Sequence, residues 1–393
     1  MQFSKWITLG FGALCLIAVA TVLRAGHLFY MAAILLSLPV VSYCLGWYSV
    51  KGLTITRVLP ATTWEGETAE ITYVVHNNSR SPRFFLYIKE RWPAWIDTGD
   101  GEPPLFNLGG EDTTTISLPV RFHSRGVYAP RSFNIVALDP LGVFAFTRTI
   151  PCDQELVVYP SPEGGVPLPE GGAERFGWQA FVTSALRGSS VEPDGVRDYA
   201  PGDPLKRIHW RQTARTGRLN VIEFCETVAV NVIVVIDAQA GSARGAASST
   251  TLDQCARIAA AVLMEASRQG AAVRVVAGDG SDQEHPYTDS GIGKGEESLL
   301  SAMDTLARLQ SNAPLSPSQL LREAVGPLAR GTSLLVLTSV LDRELPGTIA
   351  RYAGTAVQSV VVYVDTPQGD SLESTAFLKS VAGVGASAYI QVT

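Results

Sequence analysis

The chain of 393 residues is too long for one ordinary domain, so two or three units are expected, each with its own core. A formal net charge of -6 excludes a surface built throughout to hold nucleic acid or anionic lipid; any basic function must be local. The five cysteines, Cys15, Cys44, Cys152, Cys225 and Cys255, are dispersed, without the clustered spacing of a disulfide framework, and fit a reducing compartment.

Residues 7–23 and 28–50 carry no charged side chain, and each run approaches the ~20 residues needed to cross about 30 Å of hydrocarbon. With only Arg24-Ala25-Gly26-His27 between them, residues 1–50 are expected to form a hairpin of two transmembrane helices. Trp6, Tyr43, Trp47 and Tyr48 fall where aromatic side chains favour the interface, and Pro39 is expected to kink the second span. A signal peptide cleaved after Ala18-Val19-Ala20 is disfavoured, because a second apolar run follows at once. Lys5, Lys51 and Arg57 flank the spans on one side against Arg24 alone on the other, which places the N-terminus and everything after residue 51 in the cytoplasm.

From 51 to 160 the hydrophobic period becomes two. Ile71, Tyr73 and Val75 alternate with Thr72 and Val74, and the asparagines that follow supply a turn. Similar strands are read at 54–58, 84–90, 113–120, 132–138, 143–149 and 155–159, which predicts an antiparallel, immunoglobulin-like β-sandwich. Asn77-Asn78-Ser79 matches a glycosylation acceptor formally, but a cytoplasmic location makes the match idle.

Residues 161–225 open on a Pro/Gly-rich linker and contain a dense polar motif; 226–393 alternates strands and helices. The continuous apolar run at 229–237 reads as a strand covered on both faces. Leu252, Cys255, Ile258, Ala259, Val262, Leu263 and Ala266 then follow a helical period that stops at Gly270. Further strands at 271–277, 333–339, 357–365 and the chain end, with helices at 296–309, 317–324 and from about 371, predict a doubly wound α/β sheet. Any ligand site in such a sheet lies at the carboxyl ends of its strands.

The first of those ends carries Asp237. In the von Willebrand factor A fold, which this order of elements resembles, D-x-S-x-S at that point supplies a carboxylate and two hydroxyls to a divalent cation. Here no serine stands at either hydroxyl position, and a hard ion needs several oxygen ligands, so Asp237 is read as a degenerate metal position with no metal or other cofactor bound. The loop Gly291-Ile292-Gly293-Lys294-Gly295 lacks the Ser or Thr of a phosphate loop and is read as the approach to a helix. The histidines His27, His76, His123, His209 and His285 have no partners at metal or triad spacing, and no catalytic residue is assigned.

The polar motif of residues 196–224 admits three readings. Its arginines and aromatics could grip nucleic acid, which the overall charge disfavours. Asp198, Asp203 and His209 could form an acid-base set, but no nucleophile or metal accompanies them. Alternatively Pro201, Gly202, Asp203 and Pro204 turn the chain, Asp and Arg side chains pair across the turn, and Trp210 buries beneath them as a structural latch, with partner recognition as a secondary use.

Arg197-Asp198-Tyr199, Pro201-Gly202-Asp203, Arg207-Ile208-His209-Trp210-Arg211 and Thr213-Ala214-Arg215 resemble the signature of the bacterial family called domain of unknown function 58. A paired anchor, Asp139-Pro140-Leu141-Gly142-Val143-Phe144, Val157-Val158-Tyr159-Pro160 and a C-terminal α/β region complete the likeness. The resemblance implies a von Willebrand A-like domain at 226–393. It also implies a multi-pass membrane protein without established catalysis, acting as an adaptor for a MoxR-type AAA+ ATPase and a transglutaminase-like membrane protein, with no nucleic-acid partner. The alternatives are a divalent-cation-dependent protein-binding domain and an unrecognised hydrolase.

Overall fold

The computed structural model describes the chain apart from residues 1, 94, 100, 102, 163–180, 184–192, 201–207, 225–230, 247–248, 282–283, 330–331, 353–357, 367–370 and 393. It divides into two compact units, one comprising residues 1–123 and 127–158, the other 124–126 and 159–393.

The first unit opens with helices α1 (Gln2–Leu23) and α2 (Gly26–Ser49). Helix α2 is long and apolar enough to cross a membrane, with a mean hydropathy of 2.0 and Pro39 inside a helix that continues past it. Gly10–Leu23 is a shorter apolar helix.

Among the described residues eleven strands follow, as the alternating pattern requires. They are β1 (Leu53–Val58), β2 (Thr62–Trp64), β3 (Thr68–Asn77), β4 (Arg83–Lys89), β5 (Ile96–Asp97), β6 (Phe106–Leu108), β7 (Thr113–Phe122), β8 (Gly126–Tyr128), β9 (Ser132–Leu138), β10 (Ala145–Pro151) and β11 (Leu156–Tyr159). Two four-stranded sheets, β1-β3-β7-β5 and β10-β9-β4-β6, are antiparallel throughout. Ile71, Tyr73, Val75 and Phe122 of the first meet Leu86, Ile88, Phe133 and Ile135 of the second in one core, so alternation in the sequence becomes inward and outward faces of each sheet. Inside that core Glu90 accepts from Arg57, Tyr73 and Tyr128, and both partners of the Arg57–Glu90 pair are almost wholly buried. Asn77 is also buried, its amide donating to the carbonyls of Ser81 (2.9 Å) and Gly109 (2.7 Å), so the glycosylation match is structurally occupied.

In the second unit, β12 (Pro193–Asp198) and β13 (Asn220–Phe224) pair antiparallel around the short helix α3 (Trp210–Thr216). The main sheet begins with β14 (Asn231–Ile236); a small ribbon of β15 (Gly245–Ala246) and β16 (Ser249–Thr250) leads into helix α4 (Thr251–Arg268). Then come β17 (Ala272–Gly278), β18 (Tyr287–Asp289), α5 (Glu296–Arg308), α6 (Pro317–Leu320), β19 (Thr332–Thr338), α7 (Leu345–Ala350), β20 (Gln358–Asp365), α8 (Ser371–Ala382) and β21 (Ser387–Val392). The strand order is β18-β17-β14-β19-β20-β21, parallel except for β18.

The apolar runs that looked two-sided are two-sided. Ile233, Val235, Leu334, Val336 and Val361 pack with Leu320, Ile349 and Phe377, while Val232, Val234, Ile236, Leu335 and Val362, pointing the other way, are equally buried. Helix α4 starts at a capping box, in which the Thr250 hydroxyl and the Asp253 carboxylate each bond the other's backbone amide. It ends against Gly270, whose φ of +80° suits a residue without a Cβ. The Gly291–Gly295 segment is the loop before α5, as expected.

Candidate functional site

The signature forms a hairpin with a helix between its strands. His209 caps α3, its Nδ1 accepting from the Gln212 amide (3.0 Å), and Gly217 closes the helix with φ +68°. Thr213 Oγ1 accepts the Asn220 amide (3.1 Å), and the Asn220 side chain donates to Thr216 Oγ1 (2.6 Å) and the Arg218 carbonyl (2.9 Å). Backbone bonds Tyr199 N to Leu219 O and His209 N to Asn220 O, each 2.8 Å, complete the hairpin, and Ile208, Asn220 and Val221 are buried within it. His209 and Thr213 thus hold the motif together.

Trp210 does not. The expected buried aromatic is 67% exposed, and Arg211 and Arg215 are exposed with it, as is Arg218. The physical reason is the seven-residue length of α3. Apart from Ala214, Trp210 is its only apolar side chain, so the helix has no apolar stripe to turn inward. Asp198 is exposed, and Arg197 is described only through the pairing of its backbone with Val221. The turn Pro201, Gly202, Asp203 and Arg207 lies outside the described residues, and with it the ion pairs expected across that turn.

The second cluster sits where β14 and β19 end, at the point where the strand order reverses. Asp237 is 2% exposed; its Oδ1 accepts from the Gln239 amide and its Oδ2 from Thr338 Oγ1, both at 2.9 Å. Burial pushes its carboxyl above the ordinary 3.8, against the pull of those donors, and Asp342 pushes the same way. The Ser242 carbonyl accepts from Thr251 Oγ1 (2.5 Å) and Ser339 Oγ (2.6 Å), and Ser311 Oγ donates to the Gln239 carbonyl (2.8 Å). Arg244 donates through Nη2 to the Ser339 carbonyl (2.6 Å) and Tyr363 hydroxyl (3.2 Å) and lies 3.4 Å from Asp365.

Asp237 therefore bonds one loop amide and the hydroxyl that ends β19. Both its oxygens are engaged, a fixed guanidinium shares the crevice, and among the described residues no three His, Cys, Asp or Glu side chains converge. This donor set does not fit a hard divalent ion, which requires several free oxygens at once. Sequence reasoning missed Ser242, Thr251, Ser311 and Arg244. Ser242 falls one place beyond the motif that was sought, and the others reach the crevice only through the crossovers of the sheet.

Comparison with known proteins agrees with the signature. Residues 195–375 match the family described as "Protein of unknown function DUF58". The matched segment covers the hairpin from its third residue, the crevice and most of the sheet. The uncharacterized protein YeaD of Bacillus subtilis is 22% identical over 326 residues, covering 78% of this chain and 76% of that protein. Among solved structures, trypsin-activated alpha-2-macroglobulin from Escherichia coli matches at 17% identity over 40% of this chain and 9% of that chain, with a TM-score of 0.23. The PilB minor pilin of Streptococcus sanguinis matches at 7% identity over 80% of this chain and 88% of that one, with a TM-score of 0.31.

Proposed function

We propose that this chain is a membrane-anchored, non-enzymatic adaptor that binds protein partners through the outer face of α3. The observation that carries the reading is the exposed Trp210 beside Arg211 and Arg215, on a helix fixed from behind by His209 and Thr213. Tryptophan and arginine are the residues that most often dominate binding at interfaces, and here they are held in place before any partner arrives. The partner class follows from the family resemblance: a MoxR-type AAA+ ATPase, with a transglutaminase-like membrane protein in the same assembly.

The strand order with antiparallel β18 supports a von Willebrand A-like reading of the second unit, and the sheets around one core support an immunoglobulin-like reading of the first. The self-satisfied bonding of the Asp237 crevice favours neither metal-dependent binding nor hydrolysis. Both helices cross the bacterial cell membrane in this reading, and the remainder of the chain is cytoplasmic.

Binding of the full chain, in detergent or nanodiscs, to an AAA+ ATPase encoded beside it tests the proposal. Micromolar binding that Trp210→Ala weakens at least tenfold, an interface effect of about 1.4 kcal/mol or more, is the expected result. Equal binding by parent and variant removes α3 as the surface. No binding at high micromolar concentration with nucleotide present removes the ATPase.

A further inference from the structure

The Asp139–Phe144 turn, singled out in the sequence as Asp-Pro-Leu-Gly-Val-Phe, is packed against helix α2. Asp139 is 2% exposed and accepts from the amides of Val143 and Phe144 (both 2.6 Å) and Leu141 (3.2 Å), and from the Ser42 hydroxyl of α2. Tyr43 meets Phe144 and Phe146 edge-on at 5.1 and 5.0 Å, and Gly46 leaves the helix backbone open to the Phe146 ring. Further along α2, the Arg83 guanidinium lies 3.7 Å over the Tyr48 ring.

The sheet register brings a second feature to the same end. Leu86 pairs with Ala137, and Ala145 with Leu138, so Arg83, Phe84 and Phe85 lie at the end of the sheet that carries the turn. Between Arg83 and Leu86 the pairing with β6 is interrupted, and Phe85 takes φ +54°, a left-handed conformation costly for a bulky side chain. Its outcome is two adjacent phenyl rings, 44% and 40% exposed, 6.5 Å apart. A strained bulge that holds two phenylalanines outward needs a partner for them.

The span of α2 says what that partner is. Counted from Gly26, the ~20 residues that hydrocarbon requires reach about Leu45, beyond the residues that hold the turn, Ser42 and Tyr43. Trp47 and Tyr48, each more than two-fifths exposed, follow at the level where aromatic residues sit among headgroups. Leu141 and Phe144 are therefore level with the edge of the hydrocarbon.

We propose that the Asp139–Phe144 turn and the Phe84–Phe85 bulge are a second membrane contact, seating the β-rich part of the first unit in the lipid interface instead of leaving it on a tether. The partner is the bilayer surface itself, with phenyl rings and Leu141 entering the acyl boundary. This rests on the reading that α2 crosses the membrane.

Nitroxide labels at Phe85→Cys and Leu141→Cys, in a full chain whose own cysteines are replaced and which is reconstituted in vesicles, read the seating directly. Leu36→Cys on α2 reports the hydrocarbon and Thr147→Cys on β10 reports water. Expected is preferential collision of the Phe85 and Leu141 labels with oxygen over a water-soluble nickel chelate, several-fold above the Thr147 label. Leu36 reading as hydrocarbon while Phe85 and Leu141 match Thr147 overturns the seating alone. Leu36 reading as water overturns the membrane span and the seating with it. The unaltered chain supplies an independent measurement with a photoreactive lipid: labelled peptides from 81–89 and 139–146 support the proposal, and labelling confined to 2–49 refutes it.

Discussion

Trp210, His209 and Thr213 lie within four residues of one another and do different work. The tryptophan is exposed, whereas the histidine and threonine each satisfy a backbone amide of the hairpin. Trp210→Ala should shift stability by no more than about 0.5 kcal/mol, the scale of surface substitutions, while His209→Ala and Thr213→Ala should each cost about 1 kcal/mol through a lost cap or an unpaired amide. Thermal unfolding of the three variants checks this; a large loss for Trp210→Ala would restore the buried-latch reading. Asp237 makes a separate prediction. Because burial raises its pKa above 3.8, the folded protein keeps the proton at pH values where the unfolded chain has released it. The folded state therefore loses stability at this site as pH rises from about 3.8 towards the raised value, and no further above it. Asp237→Asn removes the titration, so its melting temperature relative to the parent should climb between pH 4 and 7. A constant difference across that range would mean that Asp237 titrates normally.

At the scale of elements, the turn on α2 is the most exposed to test. Asp139→Ala would leave the Val143 and Phe144 amides without their acceptor, at about 1–3 kcal/mol for each buried donor. Faster hydrogen exchange across residues 141–144, with a lower melting temperature in detergent, is expected. Gly46→Val should act similarly, since a Cβ there meets the Phe146 ring at 2.6 Å, whereas Gly10→Val, with nothing within 4 Å, should be tolerated. The elements themselves were legible in the sequence because periodicity is local. Ile71, Tyr73 and Val75 announce a half-buried strand, and the run through Val232–Ile236 a doubly covered one. What joins elements was not legible. Nothing near Asp237 in the chain names Thr338 as its partner, and nothing near Ser42 names Asp139. Trp210 failed for another reason: its residue type argues burial, but a seven-residue helix without other large apolar side chains offers no face to bury.

For the whole molecule, if α2 crosses the membrane as proposed, its orientation there decides which partners can reach α3. The basic count after α2 includes Arg57, yet in the fold that guanidinium is buried against Glu90 and presents no charge to a membrane surface. Lys51 remains, its ammonium over the Trp47 ring, with Arg80 93% exposed, against Arg24 at the opposite end of the helix; Arg83, 1% exposed, is as buried as Arg57 and does not count either. The positive side is still the side of the β-rich region, now through residues at the helix end itself. A reporter that folds only in an oxidising compartment, fused to the end of the chain, should therefore stay silent in intact bacterial cells. Replacing Lys51 and Arg80 by glutamine should raise its signal by producing a mixed orientation, while Arg57→Gln, which removes a buried partner, should lower stability without changing orientation. A strong signal from the parent fusion would put α3 outside the reach of a cytoplasmic ATPase and leave the adaptor reading in need of an extracytoplasmic partner.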